Sequence, residues 1–73
     1  MTELQAIKFA AQIQIGTRIA GYGGQVLIVT AITDKYIKGI SEYAWKKFGK
    51  ESELILEYTT LLNPHYNKSL QIL

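Results

Sequence analysis

The sequence predicts a mainly β fold: a short N-terminal helix followed by five antiparallel strands in one small domain. Three observations predict it. From Gln12 onward apolar residues recur at every second position, the period of a half-buried strand. Residues 25–33 are dense in β-branched side chains, which suit a pleated surface. Gly, Asp and Pro then punctuate the chain at the short intervals of turns.

The 73 residues allow one domain, 1–73, with 1–11 helical and 12–73 β. A fold of this size buries only about 60% of its unfolded surface, so its stability is marginal. Small scaffolds commonly add disulfides, a metal or a partner subunit. The chain has no cysteine, which excludes disulfides and thiolate-metal frameworks. With 48% hydrophobic and 19% charged residues it has a globular composition, and a net charge of +2 is too small to imply a phosphate partner by itself.

The helix is expected over Glu3–Ala11. Thr2 and Gln5 have capping-box spacing, and Leu4, Ile7 and Ala11 fall on one stripe, with Phe9 off it. Strands are expected at about 13–20, 25–33, 36–47, 52–60 and 69–73. In the first, Ile13, Ile15, Thr17 and Ile19 alternate with Gln12, Gln14, Gly16 and Arg18. Gly21-Tyr22-Gly23-Gly24 and Asp34-Lys35 supply the next two turns, and Asn63-Pro64 interrupts the ladder before the last strand.

Residues 36–48 admit two readings. As a helix, Ser41 caps it, Lys46 and Lys47 occupy its last turn and Gly49 ends it. As a strand, Ile37, Gly39, Ser41, Tyr43 and Trp45 share one face. Register favours the strand. A two-residue Gly49-Lys50 loop sets Trp45 opposite Leu54, Tyr43 opposite Leu56, and Ala44 opposite Ile55. The Asp34-Lys35 loop sets Ile32 opposite Ile37, Ile28 opposite Ser41 and Val29 opposite Ile40, turning the same face of the third strand inward. The one flaw is Glu42 opposite Glu57, an unfavourable pair.

A helix, four meandering strands, a Pro-containing turn and a short closing strand resemble the SH3-like small β-barrels, the group of KOW, Tudor and Sm-like domains. The likeness covers most of the chain and lies in element order; the Gly16–Ile19 segment running through the Gly21–Gly24 turn to Val26 is faintly similar to a KOW segment. The resemblance implies a barrel over 12–73 and a role in binding nucleic acid, peptide motifs or further copies of the chain. Fold analogy does not choose among these roles.

Nothing in the sequence assembles a reaction centre. His65 stands alone in a turn, the carboxylates are interspersed with lysines at no ligand spacing, and Ser41, Ser52 and Ser69 have no base-and-orienter set. Gly21–Gly24 lacks the Lys-Ser/Thr of a phosphate loop. An enzyme, a metal site and a cofactor are therefore not expected. Asn67-Lys68-Ser69 matches a glycosylation sequon, which reads as coincidence in a chain with no secretion signal. No apolar run is long enough to span a bilayer, and a cytoplasmic protein without membrane contact is expected.

Two surfaces are candidates for binding. Lys35, Lys38, Lys46, Lys47 and Lys50 are interleaved with Tyr36, Tyr43, Trp45 and Phe48. Cations beside rings are the usual means of holding single-stranded nucleic acid. With Tyr43 and Trp45 assigned to the core, the expected nucleic-acid face is Arg18, Tyr36, Lys38, Lys46, Lys47, Phe48 and Lys50. The plain alternative for the same residues is a solvated hairpin whose lysines guard against edge pairing. The second surface is an apolar strip of Leu27, Val29, Ile40 and Ile55 on the outer face, covered by the N-terminal helix through Leu4, Ile7 and Ala11, or by a protein partner or second copy. The hairpin's composition favours nucleic acid; the alternative is a protein-interaction module, a homo-oligomer or a small inhibitor such as mobile elements encode.

Overall fold

The structure, a computed structural model, describes residues 3–21, 24–63 and 67–73. The order is α1 (Glu3–Ala11), β1 (Arg18–Ala20), β2 (Val26–Ile32), β3 (Tyr36–Ser41), α2 (Glu42–Phe48), β4 (Glu53–Glu57), α3 (Tyr58–Leu61) and β5 (Gln71–Ile72). The five strands form one antiparallel sheet in the order β4-β3-β2-β1-β5. Its outermost strands, β4 and β5, do not pair, so the sheet is not closed into a barrel. Helix α1 spans the expected residues. The Thr2 half of the capping box, the centre of the Gly21–Gly24 turn and His65 lie outside the described residues.

The buried face of α1 is not the expected one. Ala6 is buried and Phe9 packs on the core, and Ile13 continues this i, i+3, i+7 row, while Leu4 and Ile7 are exposed. The Ile13 N–H still bonds back to Ala10, so Ile13 belongs to the helix end and not to a strand. This is why β1 begins only at Arg18. Gly16 turns the chain, and the ladder is extended backward by Gly16 N–H to the Val29 carbonyl (2.8 Å) and Val29 N–H to the Thr17 carbonyl (2.9 Å).

Ile13, Ile19, Leu27, Val29 and Ile37 form the core, with Leu54, Leu56, Tyr58, Leu70 and Ile72 packed against it. Ile32 pairs with Ile37 as expected, but the β2–β3 register shifts between Val29 and Ala31. Thr30 is the extra residue, and a bulge of this kind inverts the faces on one side of it. Leu27, Val29 and Ile37 therefore point inward together, whereas Val26 and Ile28 take the outer face. Leu27 lies opposite Ser41 and Ile28 opposite Ile40, correcting the expected Ile28–Ser41 and Val29–Ile40 pairs. Gly39, opposite Val29, is buried at the closest approach of the sheet: a Cβ there would overlap the Ile28 carbonyl oxygen and lie 2.7 Å from Leu27 Cδ2.

Residues 42–48 are helical, which overturns the strand expected to run to 47 and the Gly49-Lys50 hairpin. The local signals prevail over register. Ser41 Oγ accepts from Ala44 N–H (3.3 Å), and Gly49 takes the left-handed conformation (φ 65°) that closes a helix C-terminus. Its N–H bonds the Trp45 carbonyl at 3.0 Å. Two i, i+4 pairs, Glu42–Lys46 and Tyr43–Lys47, lie along the helix. Strand β4 consequently pairs lower on β3, with Leu54 opposite Gly39, Ile55 opposite Lys38 and Leu56 opposite Ile37. It ends at Glu57 rather than 60, because Tyr58 turns into α3, its hydroxyl donating to the Thr33 carbonyl (2.9 Å). No helix among the described residues is long and apolar enough to cross a membrane.

Candidate nucleic-acid interface

Helix α2 lies against β2 and β3, and none of its residues is buried. Tyr43, Trp45 and Phe48 are 63%, 46% and 61% exposed. The strand reading placed Tyr43 and Trp45 in the core; in a helix their 3.6-residue spacing carries them to open faces. The sequence carried the signal for this, since Ser41 and Gly49 are the caps of that helix, but the hairpin register concealed it.

Lysines interleave with the rings. Lys47 Nζ donates to Tyr43 Oη (2.8 Å) and sits 5.2 Å from the Tyr43 ring centroid and 5.6 Å from that of Phe48. The two rings meet edge to face at 6.1 Å. Lys50 follows the Gly49 cap, and its N–H bonds the Ala44 carbonyl at 3.2 Å. Among the described residues neither Lys47 nor Lys50 has a carboxylate partner. Anions approaching this end of the molecule therefore meet two cations without carboxylate partners, with the Tyr43 and Phe48 rings beside Lys47 and Trp45 exposed on another face of the helix.

Arg18 and Lys46 belong to the same end but are engaged. Arg18 donates to Glu42 through Nε (2.5 Å) and Nη2 (2.8 Å), and Lys46 Nζ lies 3.4 Å from Glu42 Oε1. The Glu42 side chain is only 13% exposed. These bonds hold its carboxyl at about 2, well below the ordinary value, and Arg18 is correspondingly raised. The hydrogen bonds from Arg18 are the main cause. Beside this cluster a groove of about 640 Å³ runs between the start of β2 and α2, lined by Gly24, Gln25, Ser41, Glu42, Tyr43 and Lys46, among others.

The remaining expected residues fall elsewhere. Tyr36 is half-buried at the far end of β3, about 17 Å along the strand from Ser41. Lys38 is paired with Glu53 at 3.1 Å. The structure thus gathers Arg18, Lys46, Lys47, Phe48 and Lys50 and leaves out Tyr36 and Lys38. Of the expected protein interface, Leu27 and Val29 are core residues and present no surface. Ile40 is half-buried and Ile55 exposed on the outer face. Leu4 and Ile7, expected as the cover of that strip, instead leave α1 with an exposed apolar face. Among the described residues no three His, Asp or Glu side chains converge as a metal site would require.

Comparison of the chain with family models, with curated proteins and with solved structures returns no match in any of the three.

Proposed function

We propose that the protein is a small non-enzymatic, cytoplasmic binding module that holds single-stranded nucleic acid on α2, without strong sequence preference. The observation that carries this reading is the pair of exposed rings, Tyr43 and Phe48, flanking Lys47, with Lys50 following in the chain and Trp45 exposed on another face of α2. Rings offer stacking surfaces to bases of any identity, and lysines neutralise the phosphates between them. Element order is similar to that of SH3-like barrels, although here the sheet is open, and it is compatible with this role without choosing it over the others. The test is binding of a short single-stranded oligonucleotide at rising salt. Affinity should fall steeply with salt, and Lys47→Glu with Lys50→Glu should abolish binding while the circular dichroism spectrum is kept. Binding that is unchanged in that double variant would refute the reading.

A second reading, a protein-interaction module, is favoured by a different observation. Ala6, Ile7, Ala10, Tyr58, Leu61 and Leu62 line an apolar groove of about 300 Å³ between α1 and α3, and Leu4, Ile7 and Leu62 stand exposed around it. A homo-oligomer or a complex formed through this face survives high salt and is broken by Ile7→Asp, whereas nucleic-acid binding through α2 is indifferent to that change. Sedimentation at low and high salt separates the two.

A further inference from the structure

We infer that the groove beside α2, lined by Lys46 and Lys47, is a phosphate seat, and that Glu42, also in its lining, holds Lys46 and the adjoining Arg18 in reserve, so that an incoming phosphate must displace this carboxylate. The inference rests on the nucleic-acid reading and names how that site is regulated.

Three cationic donor groups, Arg18 Nε, Arg18 Nη2 and Lys46 Nζ, converge on one side-chain carboxylate. A guanidinium fork bonded through two nitrogens fits carboxylate and phosphate oxygens alike. Glu42 therefore occupies the position in which a phosphate would satisfy the same donors. Glu42, Lys46 and Lys47 all line the groove, and Tyr43 supplies a ring beside them. A volume of about 640 Å³ lies within the usual range for small-ligand sites, which suits a single nucleotide unit. The arrangement also accounts for a contrast in the charge distribution: Lys47 and Lys50 have no carboxylate partner among the described residues, whereas Arg18 and Lys46 share the single carboxylate of Glu42. Lys47 and Lys50 would make the first contacts, and Arg18 and Lys46 would join when Glu42 yields.

The chemistry recognised is a phosphate group, either free or in a nucleic-acid backbone, and the experiment distinguishes these sources. Wild type and Glu42→Gln are titrated with inorganic phosphate and, separately, with an oligothymidylate, at several salt concentrations. With Arg18 and Lys46 released, Glu42→Gln should bind the oligonucleotide about tenfold more tightly, and the slope of log affinity against log salt should steepen by about 0.7 for each additional phosphate contact. A gain with inorganic phosphate alone would assign the seat to the free ion and overturn its role in strand binding. Equal oligonucleotide affinity in wild type and Glu42→Gln, with binding still lost in Lys47→Glu, would overturn the reserve role of Glu42 and leave the nucleic-acid reading intact. Absence of oligonucleotide binding in both proteins would overturn both. Should Glu42→Gln fail to fold, the wild-type Arg18 Nε–H resonance decides: it should shift on saturation with oligonucleotide, and an unmoved resonance would show Arg18 still bonded to Glu42 and refute the inference.

Discussion

Arg18 and Glu42, 24 residues apart in sequence, form a two-nitrogen guanidinium–carboxylate pair that fastens α2 to β1. A seven-residue helix is too short to persist alone in water. Its caps and this tether therefore hold it in place, with the aromatic side chains outward.

The pair makes stability depend on pH in a defined direction. Glu42 titrates at about 2 in the folded protein, against an ordinary value of 4.5. A carboxyl depressed on folding contributes its full stabilisation above the unfolded value and loses it as pH falls through the folded one. Between pH 4.5 and about 2 the chain should lose stability, and the Glu42→Gln variant should lack this component. Urea titrations of both proteins across that range are the check; parallel curves would contradict the assignment.

Gly39→Ala should destabilise the fold by about 3 kcal/mol, the upper end for overpacking, because its Cβ meets the Ile28 backbone and not only a mobile side chain. Denaturant melts should show the loss. A change under about 0.5 kcal/mol, the level of an unremarkable surface substitution, would mean that β2 and β3 are not paired in this register.

The caps of α2 give a local test. Ser41→Ala removes the oxygen that accepts from Ala44 N–H and should cost about 1 kcal/mol. Gly49→Ala, at φ 65°, should cost at least about 1 kcal/mol. If residues 42–48 were extended, Ser41→Ala would have no such effect.

Asn67 is 1% exposed, and its Nδ2 donates to the Leu61 carbonyl at 2.6 Å. In the folded chain it is therefore closed to glycosylation despite its sequon. Asn67→Ala leaves that buried carbonyl without its side-chain donor and should lower stability by about 1–3 kcal/mol, as thermal melts would register.

The extent of α1, the Ile32–Ile37 pairing and the antiparallel order of strands were legible because each rests on local signals: helical periodicity, a short turn, alternation. The faces of β2 were not. Val26, Leu27, Ile28 and Val29 are apolar on both sides, so nothing in their pattern marks the bulge at Thr30 that turns Leu27 and Val29 inward. Helix α2 was half legible. Its caps were visible, but an apparently consistent register outweighed them, and the Glu42–Glu57 clash was the sign that the register was false. In the fold Glu42 meets Arg18 and Glu57 lies opposite Tyr36. The cationic half of the candidate site was readable from composition. Phe48 was readable as well, but adding Tyr43 and Trp45 to the aromatic half required knowing that they sit on a helix.

Trp45 is the chain's single tryptophan, so its emission reports on α2 alone. Titration with an oligothymidylate of about twelve nucleotides should quench that emission at low salt as bases stack on α2, and added salt should restore it. Emission unchanged up to about 1 mM nucleotide at low salt would contradict nucleic-acid binding on this helix.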